Sequence, residues 1–278
     1  MNKKLIFLDI DGTLTSPGSN VPPRSALDAI GKAQAAGHKV FLCTGRNLDM
    51  LSPLLAYGFD GAVASGGGYV VCGDKVLYDC PMTEEQRLLA MDLLAQNNVF
   101  RTIEAKDATY GDEGMAEFLG TVSGGNSELV RWRRALEDDL NIQPMSRYDG
   151  RPIYKIVFMC ADAGQLKSAR KALEGEFSFL VQDVTGANYV NGELINRKFD
   201  KGTGVRLVAR AMGVDLADTI GFGDSMNDLE MIQTVGTGVC MENGSPTLKK
   251  HSAMVCPAVE EDGLAAGFAR LGLTDGSV

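Results

Sequence analysis

Histidine is almost missing from this chain: His38 and His251 are the only two in 278 residues. The shortage removes most Ser/His/Asp and Cys/His relays and most zinc sites, which depend on imidazole, and hands general acid and base work to carboxylates. The six cysteines include no CxxC pair, and four fall in or beside apolar strand-like runs. They read as reduced, packed thiols of a cytoplasmic protein. Positive charge is also short, with 27 Lys and Arg against 36 Asp and Glu, a net charge of −9 and a pI near 4.8. Nucleic acid and anionic membrane surfaces are thereby excluded as partners, since both need a basic face. No apolar run reaches membrane-spanning length, and Asp9 and Asp11 interrupt the stretch after Lys3-Lys4 that a signal peptide would need. Internal repeats and low-complexity segments are absent. A small anionic metabolite remains allowed, because a local cluster of donors can outweigh the global sign; the oligomeric state is left open.

What is present is ordinary globular composition, 45% hydrophobic and 23% charged, in a chain long enough for two modules. Apolar runs alternate with helical patterns: Leu5 to Ile10, a helix opened by Pro22-Pro23 and stopped at Gly37, Lys39 to Cys43, a helix near Asn47 to Tyr57, and Ala62 to Ala64. Alternation of this kind predicts a parallel sheet with right-handed crossovers. Tyr69 to Cys72 and Lys75 to Tyr78 flank Gly73-Asp74, a hairpin signal. At Thr83, with Gln86 three residues on, a capping box opens a helix to about Asn97. The pattern then becomes more charged and less regular. Strands are expected near Val99 to Glu104, Ile153 to Cys160 and Phe177 to Gln182, with helices near Ser127 to Leu140 and Ala163 to Leu173. Strict alternation returns with a helix from Lys201 to Met212 ended by Gly213, strands at Thr219 to Phe222 and Gly238 to Met241, a helix after Asn227 and one near Leu264 to Leu271. The reading is an α/β, Rossmann-like parallel-sheet core, residues 1–82 and 188–278, with an inserted α+β unit at residues 83–187.

Asp9-Ile10-Asp11-Gly12-Thr13 follows the apolar run Leu5 to Leu8. Residues i and i+2 of an extended segment project to one side, so two carboxylates face one small volume and repel. A divalent cation or a raised pKa offsets such repulsion, and both belong to active sites; an Asx-type turn relaxed by Gly12 is the structural alternative. Three further segments fall at strand ends: Thr44-Gly45, Lys201-Gly202, and Gly223-Asp224-Ser225-Met226-Asn227-Asp228. Open α/β sheets place ligands outside the carboxyl ends of their strands, so all four can converge.

This set resembles the haloacid dehalogenase-like superfamily of phosphohydrolases, in particular its Cof-type, sugar-phosphatase-like group, which carries an α/β cap between the second and third motifs. The motifs are Asp9-Ile10-Asp11-Gly12-Thr13, Thr44-Gly45-Arg46, Asp200-Lys201-Gly202 and Gly223 to Asp228. The resemblance implies a Mg²⁺-dependent phosphatase acting on a small phosphorylated metabolite. Asp9 would be the nucleophile that forms an aspartyl-phosphate. Asp11 would protonate the leaving alkoxide, then deprotonate the attacking water. Mg²⁺ would be held by the Asp9 carboxylate, the Asp11 carbonyl and the Asp224 carboxylate. Gly12 would let backbone approach phosphate, Thr44, Gly45, Lys201 and Asn227 would bind it, and Asp228 would support Lys201. The inserted cap would choose the substrate. A phosphomutase, and a sugar-phosphate-binding regulator without turnover, are the alternatives on this fold. Each short motif also has a plainer reading: Thr44-Gly45 as a strand-to-helix turn, Lys201 as a solvated lysine with Lys198 as its rival, and Asp224 and Asp228 as helix-start charges. Members of the group often carry Asn-Gly-Ala before the hairpin, where this chain has Ser65-Gly66-Gly67. Ser65 to Gly68 lacks any phosphate-loop spacing and reads as a turn. Arg101, Tyr110, Arg147 and Arg151 match no motif; they are candidates to reach a substrate from the insert, with a solvated face as the plainer reading.

Overall fold

The computed structural model describes residues 3–121, 142–181 and 188–274. It is a mixed α/β structure of two compact units, one made of Met1–Arg46, Leu51–Asp79 and Phe199–Val278, the other of Asn47–Met50 and Cys80–Lys198. The first unit begins with strands β1 (Leu5–Leu8), β2 (Lys39–Cys43), β3 (Gly61–Ala64), β4 (Tyr69–Cys72) and β5 (Lys75–Asp79). The second contributes β6 (Phe100–Ala105), β7 (Thr109–Gly111), β8 (Ile142–Pro144), β9 (Ile153–Cys160), β10 (Phe177–Val181) and β11 (Val190–Asn196). The first then resumes with β12 (Thr219–Gly223), β13 (Thr237–Met241) and β14 (Met254–Cys256).

In the first unit the sheet order is β14-β13-β12-β1-β2-β3-β4-β5. All pairs from β14 to β3 are parallel, and β3-β4-β5 is antiparallel. Strands buried on both faces read as continuous apolar runs rather than alternating ones, and Leu5–Leu8 is buried at every position. Phe7 stacks on Phe41 at 5.4 Å between ring centroids. The helix Arg24–Ala35 starts just after Pro23, and the chain reverses at Gly37 with φ of 92°. The helix Lys201–Met212 is capped by the Asp200 side chain, which accepts from Thr203 N at 2.6 Å, and ends on the left-handed Gly213. The hairpin β4-β5 turns at Gly73-Asp74, with Cys72 opposite Lys75.

The second unit is a six-stranded sheet of order β10-β11-β9-β6-β7-β8, antiparallel except for the β7-β8 pair. Its helix Glu84–Gln96 opens with the expected Thr83/Gln86 capping box. One sheet face supplies an apolar core that includes Ile103, Ile156, Phe158 and Leu194. On these strands Lys155 Nζ lies 2.7 Å from Glu193 Oε1 and 3.2 Å from Glu104 Oε1, a buried ion triad.

Four strands are not signalled by periodicity. β7, β8 and β14 have three residues each, too few to show a period. β11 buries Asn191, Glu193 and Asn196, so polar residues stand where a buried strand usually shows apolar ones. The expected helix near Ser127 to Leu140, and Gln182 at the end of the expected strand, lie outside the described residues. All six cysteines are free thiols and four of them are buried. Among the described residues no helix is long and apolar enough to cross a membrane.

Candidate active site

Because β1, β2, β3 and β12 run parallel, their carboxyl ends open on one edge of the first unit's sheet. Asp9 follows β1 and donates its N–H to Phe222 O on β12 at 3.0 Å. Its carboxylate is 5% exposed and accepts from Lys201 Nζ at 2.7 Å. Lys201, the first residue of its helix, also donates to Asp228 Oδ1 at 2.5 Å and to Asn227 Oδ1 at 3.1 Å. Asp228 Oδ2 takes the backbone N–H groups of Asp224 and Ser225, both at 3.1 Å. One lysine thus ties the end of β1 to the turn after β12, while Lys198 is solvent-exposed.

The electrostatics are lopsided toward negative charge. Burial and the neighbouring Asp228 push Asp9 up to about 7, against the opposing pull of Lys201. Asp224 is held well above the carboxylate range by burial and by Asp9 and Asp228. Burial works against the Lys201 charge, but Asp228 and Asp9 more than offset it and keep the ammonium well above its ordinary value.

A divalent cation fits this set. Oxygens of Asp9, Asp224 and Asp228 lie within 4.8 Å of one another, and Asp224 Oδ1 is buried with no hydrogen-bond partner. Both Asp228 oxygens are already used by Lys201 and by two backbone N–H groups. Asp9 and Asp224 are therefore the carboxylates that would hold the ion, where it would offset repulsion between an anionic nucleophile and an anionic ester.

Gly12 adopts φ of +91°, and a β-carbon there would stand 2.4 Å from Asp224 Oδ2. The absent side chain lets the loop after β1 lie against Asp224, with Asn243 Nδ2 donating to Gly12 O at 2.8 Å. Thr44 Oγ1 accepts the N–H of Arg46 at 3.1 Å, which leaves its hydroxyl proton to donate. Asn227 Oδ1 is occupied by Lys201 and Ser225 Oγ, so its amide nitrogen is the donor it can offer. The Thr44-Gly45 segment continues from β2 beside Asp9's strand.

Sequence reasoning missed one residue. Arg46 is fully buried and grips Asp11 with two parallel bonds, Nε to Oδ2 at 2.8 Å and Nη2 to Oδ1 at 2.7 Å. Asn20 Oδ1 and Ser19 O hold the guanidinium from behind at 2.6 and 3.2 Å, and Gly18 N donates to Asp11 Oδ1 at 2.7 Å. The signal was there: Arg46 ends the Thr44-Gly45-Arg46 motif, and a planar fork is the natural partner of a carboxylate. In the second unit, Arg101 is paired with Asp112 and Arg151 with Asp149 and Asp107. Tyr110 packs edge-on against Tyr148 in the core, and Arg147 is exposed.

Residues 6–268 match the model of the haloacid dehalogenase-like hydrolase family. The chain belongs to that family. The Bacillus subtilis protein named "Putative phosphatase YkrA" is 31% identical over 98% of this chain and 99% of its own length. Another Bacillus subtilis relative, 5-amino-6-(5-phospho-D-ribitylamino)uracil phosphatase YwtE, is 26% identical over 94% of this chain and 96% of its own. In fold the chain is similar to BT1666 from Bacteroides thetaiotaomicron, a phosphatase of the same superfamily, with a TM-score of 0.78 and 20% identity over 98% of this chain and 96% of that one. Within the family the chain is a phosphatase.

Proposed function

We propose that this phosphatase is Mg²⁺-dependent and hydrolyses a small phosphomonoester, a sugar phosphate or similar metabolite, through an aspartyl-phosphate on Asp9. The carrying observation is the Lys201 bridge between Asp9 and Asp228 beside the unpartnered Asp224 Oδ1. A lysine that fixes one Asp9 oxygen aims the other, and in-line attack depends on that orientation more than on covalent help from the protein. The Asp9 and Asp224 carboxylates and the Asp11 carbonyl would hold Mg²⁺, which would supply charge neutralisation. Thr44, Gly45 and Asn227 donate to the phosphoryl oxygens, Lys201, whose three donors go to Asp9, Asn227 and Asp228, binds them through its positive charge, and Gly12 keeps its loop close. Asp11 moves the proton: it gives one to the departing alkoxide and takes one from the water that hydrolyses the phosphoenzyme. Arg46 presents that carboxylate through its two parallel bonds.

The second unit acts as the substrate-selecting cap, and the first carries the chemistry. Metabolite phosphates are the substrate class that a YwtE-like relative's name supports, and six unpaired cysteines support a cytoplasmic location. A panel of phosphomonoesters tests the reading: free phosphate, released with Mg²⁺ and lost with chelator, is expected. Isomerised sugar phosphate without free phosphate would overturn it in favour of a mutase.

A further inference from the structure

Ser65 combines two anomalies that the reading above leaves unused. It follows β3, whose carboxyl end shares the edge of β1 and β2. Its φ is 51°, a left-handed conformation that a residue with a β-carbon seldom adopts. Its side chain is 1% exposed, and Oγ has no hydrogen-bond partner. Buried hydroxyls are ordinarily satisfied, and one that is not calls for a cause. Strained backbone that persists beside an unmade bond points to a functional constraint.

The surroundings say which one. Ser65 N donates to Arg46 O at 2.8 Å and Gly66 N to Thr44 O at 2.9 Å, so the turn is pinned to the Thr44–Arg46 loop. On its other side Gly67 touches Asp200 so closely that a β-carbon would stand 2.2 Å from Asp200 O. The turn is wedged between the segment that carries Thr44 and the one that leads into Lys201. Both bind phosphate in the proposed mechanism, Thr44 by its hydroxyl and Lys201 by its charge, and the inference rests on that reading.

We infer that Ser65 is a third side-chain ligand of the substrate's tetrahedral oxyanion, its hydroxyl donating to a phosphoryl oxygen between Thr44 and Lys201. The buried, unpaired Oγ on a left-handed backbone is then explained by the acceptor that an arriving anion supplies. A bond from a neutral donor to a charged oxygen is stronger than one between neutral groups, which gives the strained turn its use.

Inorganic phosphate is the probe, titrated calorimetrically into the full chain with Mg²⁺ present. Ser65→Ala and Ser65→Gly should each raise the phosphate Kd about tenfold. Ser65→Gly, which takes this φ without steric cost, should keep the wild-type melting temperature, so that loss of binding cannot be ascribed to misfolding. Wild-type affinity in both variants overturns the inference. So does weakened binding in Ser65→Ala with wild-type affinity in Ser65→Gly, because the hydroxyl is then not what binds. A wild-type chain that binds phosphate but releases none from 4-nitrophenyl phosphate would refute the hydrolase reading while leaving the Ser65 comparison intact.

Discussion

Each unit buries one lysine between two carboxylates. In the first, Lys201 Nζ stands 2.7 Å from Asp9 and 2.5 Å from Asp228; in the second, Lys155 Nζ stands 2.7 Å from Glu193 and 3.2 Å from Glu104. A buried lysine with two acids is therefore no signature of catalysis. The difference lies in placement. Lys155, Glu104 and Glu193 project from three adjacent antiparallel strands, each paired with a neighbour on both sides. Lys201, Asp9 and Asp228 come from a helix start and two loops at the carboxyl ends of parallel strands, and further carboxylates, Asp224 and Asp11, crowd in. The first cluster, with Lys201 and Arg46 already placed on Asp9, Asp228 and Asp11, still holds Asp224 Oδ1 buried without a partner, which is the condition for admitting a cation and an anionic ester together.

Charge removal should therefore have opposite effects in the two places. Asp9→Asn is expected to lower turnover about 10⁴-fold or more, as loss of a nucleophile does, while the metal-free variant melts at or above the wild-type temperature because a repelled buried charge is gone. Steady-state phosphate release and thermal melts check both halves; wild-type turnover sinks the nucleophile assignment. Lys155→Met should do the reverse. Removing the ammonium from beside two buried glutamates costs about 3–5 kcal/mol, read by urea denaturation, whereas kcat per folded molecule on 4-nitrophenyl phosphate should stay within a few-fold of wild type.

The same contrast explains what the sequence made legible. Asp9, Asp11 and the Asp224 to Asp228 turn could be read because strand-end loops keep their functional groups within a few consecutive residues, and the alternating core around them has a strong period. Lys155, Glu104 and Glu193 lie on three strands far apart in the chain, and only the observed register brings them together. Val190–Asn196 escaped for the related reason that its buried face is polar. Arg46 lay in plain view at the end of a motif, but its partner Asp11 is 35 positions away and the pairing needs the parallel neighbours β1 and β2. Ser65 could be read as a turn; its left-handed φ and unpaired hydroxyl are properties of the folded chain alone.

Arg46 allows a smaller but more specific test within the first cluster. If it presents Asp11 for proton transfer, Arg46→Ala should slow an alkyl phosphate, whose leaving group needs a proton, about 100-fold. It should slow 4-nitrophenyl phosphate, whose leaving group departs as a stable anion, far less. Arg46→Lys should recover only part of the loss, because an ammonium cannot make the two parallel bonds. Equal losses on both substrates would reduce Arg46 to a structural partner of the Ser19–Asn20 loop.

The smallest effect concerns pH. Asp9 has an ordinary value of 3.8 and titrates at about 7 in the folded, metal-free chain. Between those values the folded chain holds a proton that the unfolded chain has already shed, so this group's contribution to stability falls as pH rises and its full penalty stands above pH 7. In the proposed site Mg²⁺ would have to displace that proton to bind, and Asp224, also raised, would add to the competition. The rise in melting temperature on adding saturating Mg²⁺ should accordingly grow, by a few degrees, between about pH 5.5 and pH 8. Asp9→Asn should flatten that growth, and Lys155→Met should leave it unchanged. A Mg²⁺ shift independent of pH in the wild-type chain would remove Asp9 from the ligand set and, with it, the distinction between the two buried lysines.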